Sequence, residues 1–387
     1  MLFVGLSISQ ALYAQALKQP TFRKQMIASE SAESAGVFDV NGDKVPDIVS
    51  GSYWYEGPAY QKRHLIGQVK RVNEYFDDFS TVPMDVNGDG KMDYITGGWF
   101  NKKLLWRENP GTNGEWTEHE LFETGNIETT RAWDIDGDGY EEIVPNTPKL
   151  PLIYYTLVRD ENKKPTGQFT PTRVADTHGH GLGFGDINGD GRGDFIVADG
   201  WLEAPENRKS QPWKLHQDFK LGDASVPIIV ADVNKDGLND LIVGQGHTYG
   251  LDWYEKKRIG KSISFVKHAI DPFQSQYHTM AWVDIDNDGE NELITGKRFR
   301  AHNGNDPGEY DPVGLYYFKW NGESFTKNFI SYGLYGEGKG AGIFFSVADL
   351  RGSGRKDIIV AGKDGLAVFL MKCDKYIDIT ISHEQFC

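Results

Sequence analysis

The chain has 387 residues and a formal net charge of −15; 39% of it is hydrophobic and 13% aromatic, with 45 Gly and 16 Pro. This supplies a large core but too many turn formers for a helical protein, so an all-β fold is expected. The acids recur as short clusters along the whole length and no basic patch stands out, which points to many local cation sites and excludes nucleic acid as a partner.

Residues 1–16, MLFVGLSISQALYAQA, read as a secretory signal cleaved near Ala14 and Ala16, although the usual basic start is missing. This leaves 17–387 as one domain, expected to be secreted or periplasmic. No later apolar run reaches the roughly 18 residues of a membrane span. Next comes a polar strand, Phe22 to Ile27, with no blade of its own to finish.

From Asp39 onward an Asp-x-Asn/Asp-x-Asp-x-x-x-Asp/Glu pattern repeats, starting at Asp39, Asp85, Asp134, Asp186, Asp232, Asp284 and Asp349. The intervals are 46, 49, 52, 46, 52 and 65 residues, the length of one four-stranded propeller blade. Each copy lies between two apolar strands, such as Gly36 to Phe38 and Ile48 to Val49, or Ile228 to Val230 and Leu241 to Val243. An aromatic strand (Leu251 to Tyr254) and a more polar one (Ser264 to Ile270) follow. The expected fold is therefore a seven-bladed β-propeller whose ring is closed by Phe22 to Ile27.

Oxygens at loop positions one, three, five and nine, with a carbonyl near seven, can wrap a calcium ion that takes six to eight oxygen ligands. The expected ligands are Asp39, Asn41, Asp43 and Asp47; Asp85, Asn87, Asp89 and Asp93; Asp134, Asp136, Asp138 and Glu142; Asp186, Asn188, Asp190 and Asp194; Asp232, Asn234, Asp236 and Asp240; and Asp284, Asp286, Asp288 and Glu292. Without a cation these carboxylates repel at close range. A merely solvated acidic turn is the alternative. The seventh loop carries Arg351 and Ser353 in place of ligands and is expected to hold no ion. Cys373 and Cys387 either close a small disulfide loop in the tail or remain free thiols.

These loops resemble the FG-GAP or VCBS repeats of integrin-like propellers, which specify fold far more than function. A narrower resemblance rests on His178 to Asp186, Gly200 to Pro205, Gly246 to Gly250, Ser275 to Thr279 and Gly296 to His302. These runs are similar to bacterial relatives of the propeller domain of aldos-2-ulose dehydratase. That resemblance implies metal-assisted loss of water from a keto-sugar; the cupin domains of the fungal enzyme are absent here, which removes the basis for any second isomerisation step.

Strands rise about 3.3 Å per residue, so six or seven residues from a loop reach the opposite face of the ring. Counting from each loop puts Glu33, Asp78, Phe79, Glu128, His178 to His180, Ser225 and His278 on that rim, then Trp54, Trp99, Trp201, His247, Lys297, Arg298 and Lys363, with Tyr249 and His302 just beyond. Five of the ten histidines fall there, within blades four to six. Imidazoles from neighbouring blades can share one zinc or other divalent ion. Each alone is more ordinarily a hydrogen-bonding residue. His64, His119, His216, His268 and His383 read as structural.

The leading expectation is a secreted carbohydrate lyase or dehydratase acting by β-elimination on a keto-sugar or a uronic-acid-containing glycan. His180, His247 and His278 are the expected metal ligands or base, Tyr249 or Tyr277 the proton donor, and Lys297 or Arg298 the clamp on the enolate oxygen. Trp201, His178 and His302 are expected to contact substrate. The insertion from Arg300 to Pro312, with Asp306 and Glu309, is placed to cover the central mouth. The competing class is a non-catalytic glycan- or protein-binding propeller, monomeric or weakly oligomeric. Glycoside hydrolysis by Glu33, Asp78 or Glu128 lacks a clear carboxylate pair.

Overall fold

The computed structural model describes residues 19–372 apart from 31, 211 and 261. The expected signal segment 1–16, His383, Cys373 and Cys387 lie outside the described residues. Seven four-stranded antiparallel sheets follow one another along the chain, and the expected propeller is what the sequence builds. Blade one consists of Gly36–Phe38, Asp47–Ser50, Tyr53–Tyr55 and Arg63–Leu65. Blade six consists of Tyr277–Val283, Glu292–Lys297, Val313–Trp320 and Phe325–Gly333. In the seventh sheet, Ser346–Ala348, Asp357–Val360 and Leu366–Met371 are joined by Phe22–Ala28, which pairs antiparallel with Leu366–Met371. The first and last described strands therefore share one blade. Second strands such as Asp47–Ser50, Asp93–Gly97 and Asp240–Gly244 are buried throughout, as apolar runs sandwiched between neighbouring blades must be. Among the described residues no helix is long and apolar enough to cross a membrane.

Each aspartate-rich loop joins the first strand of a blade to its second, and position nine does more than the ligand pattern implies. Asp47 is fully buried, and its two oxygens accept the backbone N–H groups of Val40 (2.9 Å) and Gly57 (2.8 Å). Asp93 does the same for Val86 and Asn109, Asp194 for Ile187 and Ala204, and Asp240 for Val233 and Lys256. One side chain thus ties the loop to the far end of the third strand and satisfies two donors that burial would leave costly. Position one folds the loop over itself: Asp39 accepts from Gly42, Asp43 and Lys44. Carboxylates gather within 4.8 Å at Asp134, Asp136 and Glu142, and at Asp284, Asp286 and Glu292. In the second group the Lys319 ammonium already lies against Asp288 and, at 3.1 Å, Glu292. In the seventh loop the Arg351 guanidinium reaches Asp357 at 2.8 and 3.1 Å, the substitution expected to displace an ion.

The third and fourth strands carry a second repeated device. Trp54 stacks on His64, Trp106 on His119 and Trp201 on His216, each with ring centroids 4.1 Å apart, and Trp253 stacks on His268 at 4.6 Å. Each imidazole Nε2 meets a glutamate two residues beyond the tryptophan: Glu56, Glu108, Glu203 or Glu255, at 2.7 to 3.0 Å. Four of the five histidines read as structural are therefore cross-strand partners of tryptophan.

Candidate metal centre

First strands begin and second strands end on the face opposite the aspartate loops, so residues at those two places from all blades surround one mouth. Glu128 immediately precedes the first strand of blade three, Thr129–Trp133, and His180 stands two residues ahead of that of blade four, Leu182–Gly185. His278 is the second residue of the first strand of blade six, and His247 lies in the turn after the second strand of blade five, Asp240–Gly244. Four donor atoms from these residues lie within 4.8 Å of one another. His278 Nε2 is 2.9 Å and His180 Nε2 3.7 Å from Glu128 Oε1, and His180 Nε2 is 3.1 Å from His247 Nε2. Gly246 leaves the space they need, since a Cβ there would stand 3.1 Å from His278 and 3.3 Å from His180.

The hydrogen bonds on the far sides of the rings set the tautomers. His180 Nδ1 donates to the Ala224 carbonyl at 2.8 Å, and His247 Nδ1 donates to Asp306 Oδ2 at 3.0 Å. With both rings neutral each Nε2 turns a lone pair toward the other, and a 3.1 Å approach of this kind calls for a cation between them, either a metal ion or a proton carried by one ring. Imidazole and carboxylate donors around a tetrahedral divalent ion at about 2.1 Å stand about 3.4 Å apart. The spacings of 2.9, 3.1 and 3.7 Å bracket that value. Three His and one Glu, each supplying one atom, fit a borderline transition metal such as zinc better than calcium, which prefers more and harder oxygens.

The four groups are strongly coupled, and without a metal the coupling takes the form of an ion pair between His180 and Glu128. Burial alone would raise the Glu128 pKa, but hydrogen bonds from His180 and His278 outweigh it and hold the carboxyl well below its ordinary range. Burial opposes charging His180, yet Glu128 keeps its pKa above the ordinary value. Burial brings His278 down to about 3 and lowers His247. Beneath the cluster, Arg298 is 2% exposed and its guanidinium grips Glu33 at 2.9 and 3.0 Å, with Nη1 3.7 Å from Glu128. Arg131, three residues below Glu128, crosses the axis to the Val226 carbonyl, to Thr279 Oγ1 at 2.9 Å and toward the Ile343 carbonyl, and forms the floor.

Above the cluster, the insertion closes over His247. Arg300, His302, Asn303 and Gly304 all take left-handed backbone angles, a strained run of the kind found where a loop is held for function. His302 stacks on His247 with centroids 4.3 Å apart, and its Nδ1 contacts Asp306 Oδ1 at 2.8 Å. Asp306 therefore orients two imidazoles at once. A short hairpin, Arg71–Val72 with Tyr75–Phe76, supports the insertion from the other side through the Glu74–Arg300 pair at 2.6 and 3.0 Å.

Several expected site residues lie elsewhere. Tyr277 precedes His278 and points the opposite way, into the core between blades five and six, where its hydroxyl donates to Asp271 at 2.6 Å. Lys297 spends its three donors on Ser275 Oγ, Gln276 Oε1 and the Gly308 carbonyl, so it anchors the insertion and has no N–H left for an enolate. His178 is buried, donating from Nδ1 to Leu150 and accepting at Nε2 from Thr147 N; burial lowers its pKa to about 4. Trp201 is buried on His216 and donates to Asp218 at 2.8 Å, so it offers no face to a sugar. Tyr249 remains on the rim, its hydroxyl donating to Asp311 in the insertion at 2.6 Å. Sequence reasoning missed Tyr75 and Glu74, whose hairpin carries no repeat signature.

A family model of the FG-GAP-like repeat matches residues 85–144 and 211–295. No curated protein sequence matches the chain. Among solved structures, the N-terminal domain of BBS1, determined in complex with ARL6, superposes with a TM-score of 0.53 at 12% identity, covering 91% of this chain and 97% of that one. The rhamnogalacturonan lyase YesW gives 0.46 at 13% identity, covering 90% and 72%. A putative phosphatase from Bacteroides thetaiotaomicron gives 0.48 at 9% identity, covering 91% and 80%. At these identities the likeness is one of fold.

Proposed function

We propose that this seven-bladed propeller of FG-GAP-like repeats is a secreted carbohydrate lyase or dehydratase that uses a divalent transition metal held by Glu128, His180, His247 and His278. The observation that carries the reading is the approach of His180 and His247 through their Nε2 atoms, 3.1 Å apart, with a carboxylate and a third imidazole closing the same space. Histidines kept only as separate hydrogen-bonding residues have no need to converge, whereas here four blades each contribute one donor to the same space. When bound, the metal supplies Lewis-acid stabilisation of the negative charge that develops as a C–H beside a carbonyl or carboxylate loses its proton.

The remaining roles follow from exposure and hydrogen bonding. His302 is 56% exposed and is oriented through Nδ1 by Asp306, which leaves Nε2 to accept the substrate proton at the mouth. Tyr249 is partly exposed on the same rim and serves as donor to the departing oxygen once its one O–H exchanges Asp311 for substrate. Arg298, buried and held by Glu33, is a positioning residue for Glu128 rather than a clamp on substrate. The aspartate loops, by this reading, hold calcium and stiffen the opposite face.

The test is an absorbance screen near 240 nm against keto-sugars and uronic-acid glycans, with His180→Ala, His247→Ala and His278→Ala as controls. Formation of an enone or unsaturated uronate by the wild type, lost in all three variants while circular dichroism is unchanged, is expected. Saturable sugar binding with no product from any substrate would replace this reading with that of a binding propeller.

A further inference from the structure

Beside the mouth, where Phe22–Ala28 completes blade seven, lies a cavity of about 330 Å³, lined by residues 26–29 of that strand and its end with Tyr335, Lys363 and Asp364. That volume falls within the range of small-ligand sites. It has one flat aromatic wall and one cation. Phe299 backs Tyr335 in a parallel stack at 4.9 Å, and Tyr335 is still 67% exposed, so its free face is presented outward.

The cation is the informative part. The carboxylates around it already have partners: Asp364 takes the Lys339 ammonium and the Gly340 N–H at 2.8 Å, Glu33 takes Arg298, and Glu74 takes Arg300. Lys363 has no carboxylate within 4 Å among the described residues; its ammonium rests 3.6 Å above the Tyr75 ring and donates to the Arg300 carbonyl. Burial lowers its pKa to about 8, so it is still charged at neutral pH. Desolvating an ammonium without an anionic partner is costly, and a ligand carboxylate would offset that cost.

Lys363 also ties the cavity to the centre. The Tyr75 ring beneath it lies 5.9 Å from the Arg298 guanidinium, which in turn is 3.7 Å from Glu128. We propose that this cavity is a second sugar subsite for a uronate residue, with its ring against Tyr335 and its carboxylate on Lys363, so that the substrate is an acidic oligosaccharide spanning the mouth rather than a single keto-sugar. This rests on the reading of the centre given above and narrows its substrate class.

The experiment is calorimetric titration of the full chain with tri-galacturonic acid and with maltotriose, for the wild type, Lys363→Met, Lys363→Arg and Tyr335→Ala, with metal content measured on the same samples. Tri-galacturonic acid is expected to bind at least about tenfold more tightly than maltotriose, the margin of one charge-assisted contact. Lys363→Met should abolish that preference, Lys363→Arg should keep most of it, and Tyr335→Ala should weaken both ligands. Equal affinity for the two sugars, no binding of tri-galacturonic acid, or a preference that survives Lys363→Met overturns the subsite. Discrimination retained by a protein that binds no metal refutes the centre and leaves the subsite standing; metal retained without discrimination does the reverse.

Discussion

Removing Glu33 should cost far more than an ordinary surface substitution. Its carboxylate is 1% exposed and accepts two charge-assisted bonds from Arg298, itself 2% exposed, while its carbonyl accepts the Ile343 and Phe344 N–H groups where the ring meets itself. The pair thus joins the seam to blade six directly under the histidines. Glu33→Leu leaves a guanidinium in a dry site with only Glu128 nearby, and breaking a buried pair in this way costs about 3–5 kcal/mol. Adding Arg298→Met removes the stranded charge and should recover at least about 2 kcal/mol of that loss, because the two changes are coupled. Urea denaturation of the wild type, both single variants and the double variant measures each term. A Glu33→Leu cost below about 1 kcal/mol, or a double variant whose loss equals the sum of the singles, would refute the argument.

Asp78 is 2% exposed, accepts a hydrogen bond from Thr96, and burial pushes its pKa up to about 7. The neutral acid is the form that fits. Its contribution is therefore fully present below about pH 4 and is lost as pH rises through about 7; Asp78→Asn should match the wild type at pH 4 and exceed it at pH 8 by up to about 4 kcal/mol in urea denaturation. Trp201→Ala should lose about 3–5 kcal/mol of stability while tri-galacturonic acid binding stays unchanged, because the ring is core on His216; weaker sugar binding at full stability would restore it as a platform. Chelation with EGTA should lower the melting temperature, and calcium added back alone should restore it. An unchanged melting temperature would mean that the position-nine carboxylates, through their backbone hydrogen bonds alone, suffice to hold the loops.

The architecture was legible because the repeat demands particular residues at fixed spacing: an aspartate at position one to fold the turn and an acid at position nine to hold two buried N–H groups. The face carrying the histidines followed from strand rise alone, and His180, His247 and His278 do converge. Alternation along a strand then misled. Adjacent residues point to opposite sides, so of the pair Tyr277 and His278 only one can face the mouth, and a count of residues from a loop does not say which. Lys297 and Arg298 pose the same problem, resolved by the Gly308 carbonyl and Glu33, neither of which lies near them in sequence. The tryptophans carried a readable sign, a glutamate two residues on at Glu56, Glu108, Glu203 and Glu255, but each partner histidine comes 10 to 15 residues later at varying distance from its tryptophan. The insertion with Asp306 was expected over the mouth, but the two imidazoles that Asp306 orients were not, and the Tyr75 hairpin carries no repeat signature, so only the folded ring brings it there.

The most direct measurement is the transition-metal content of purified, extensively dialysed protein by elemental analysis, for the wild type and for His247→Ala. About one transition metal per chain in the wild type, lost in His247→Ala without loss of the propeller's circular dichroism, is the predicted result. A wild type that holds calcium but no transition metal would contradict the central claim.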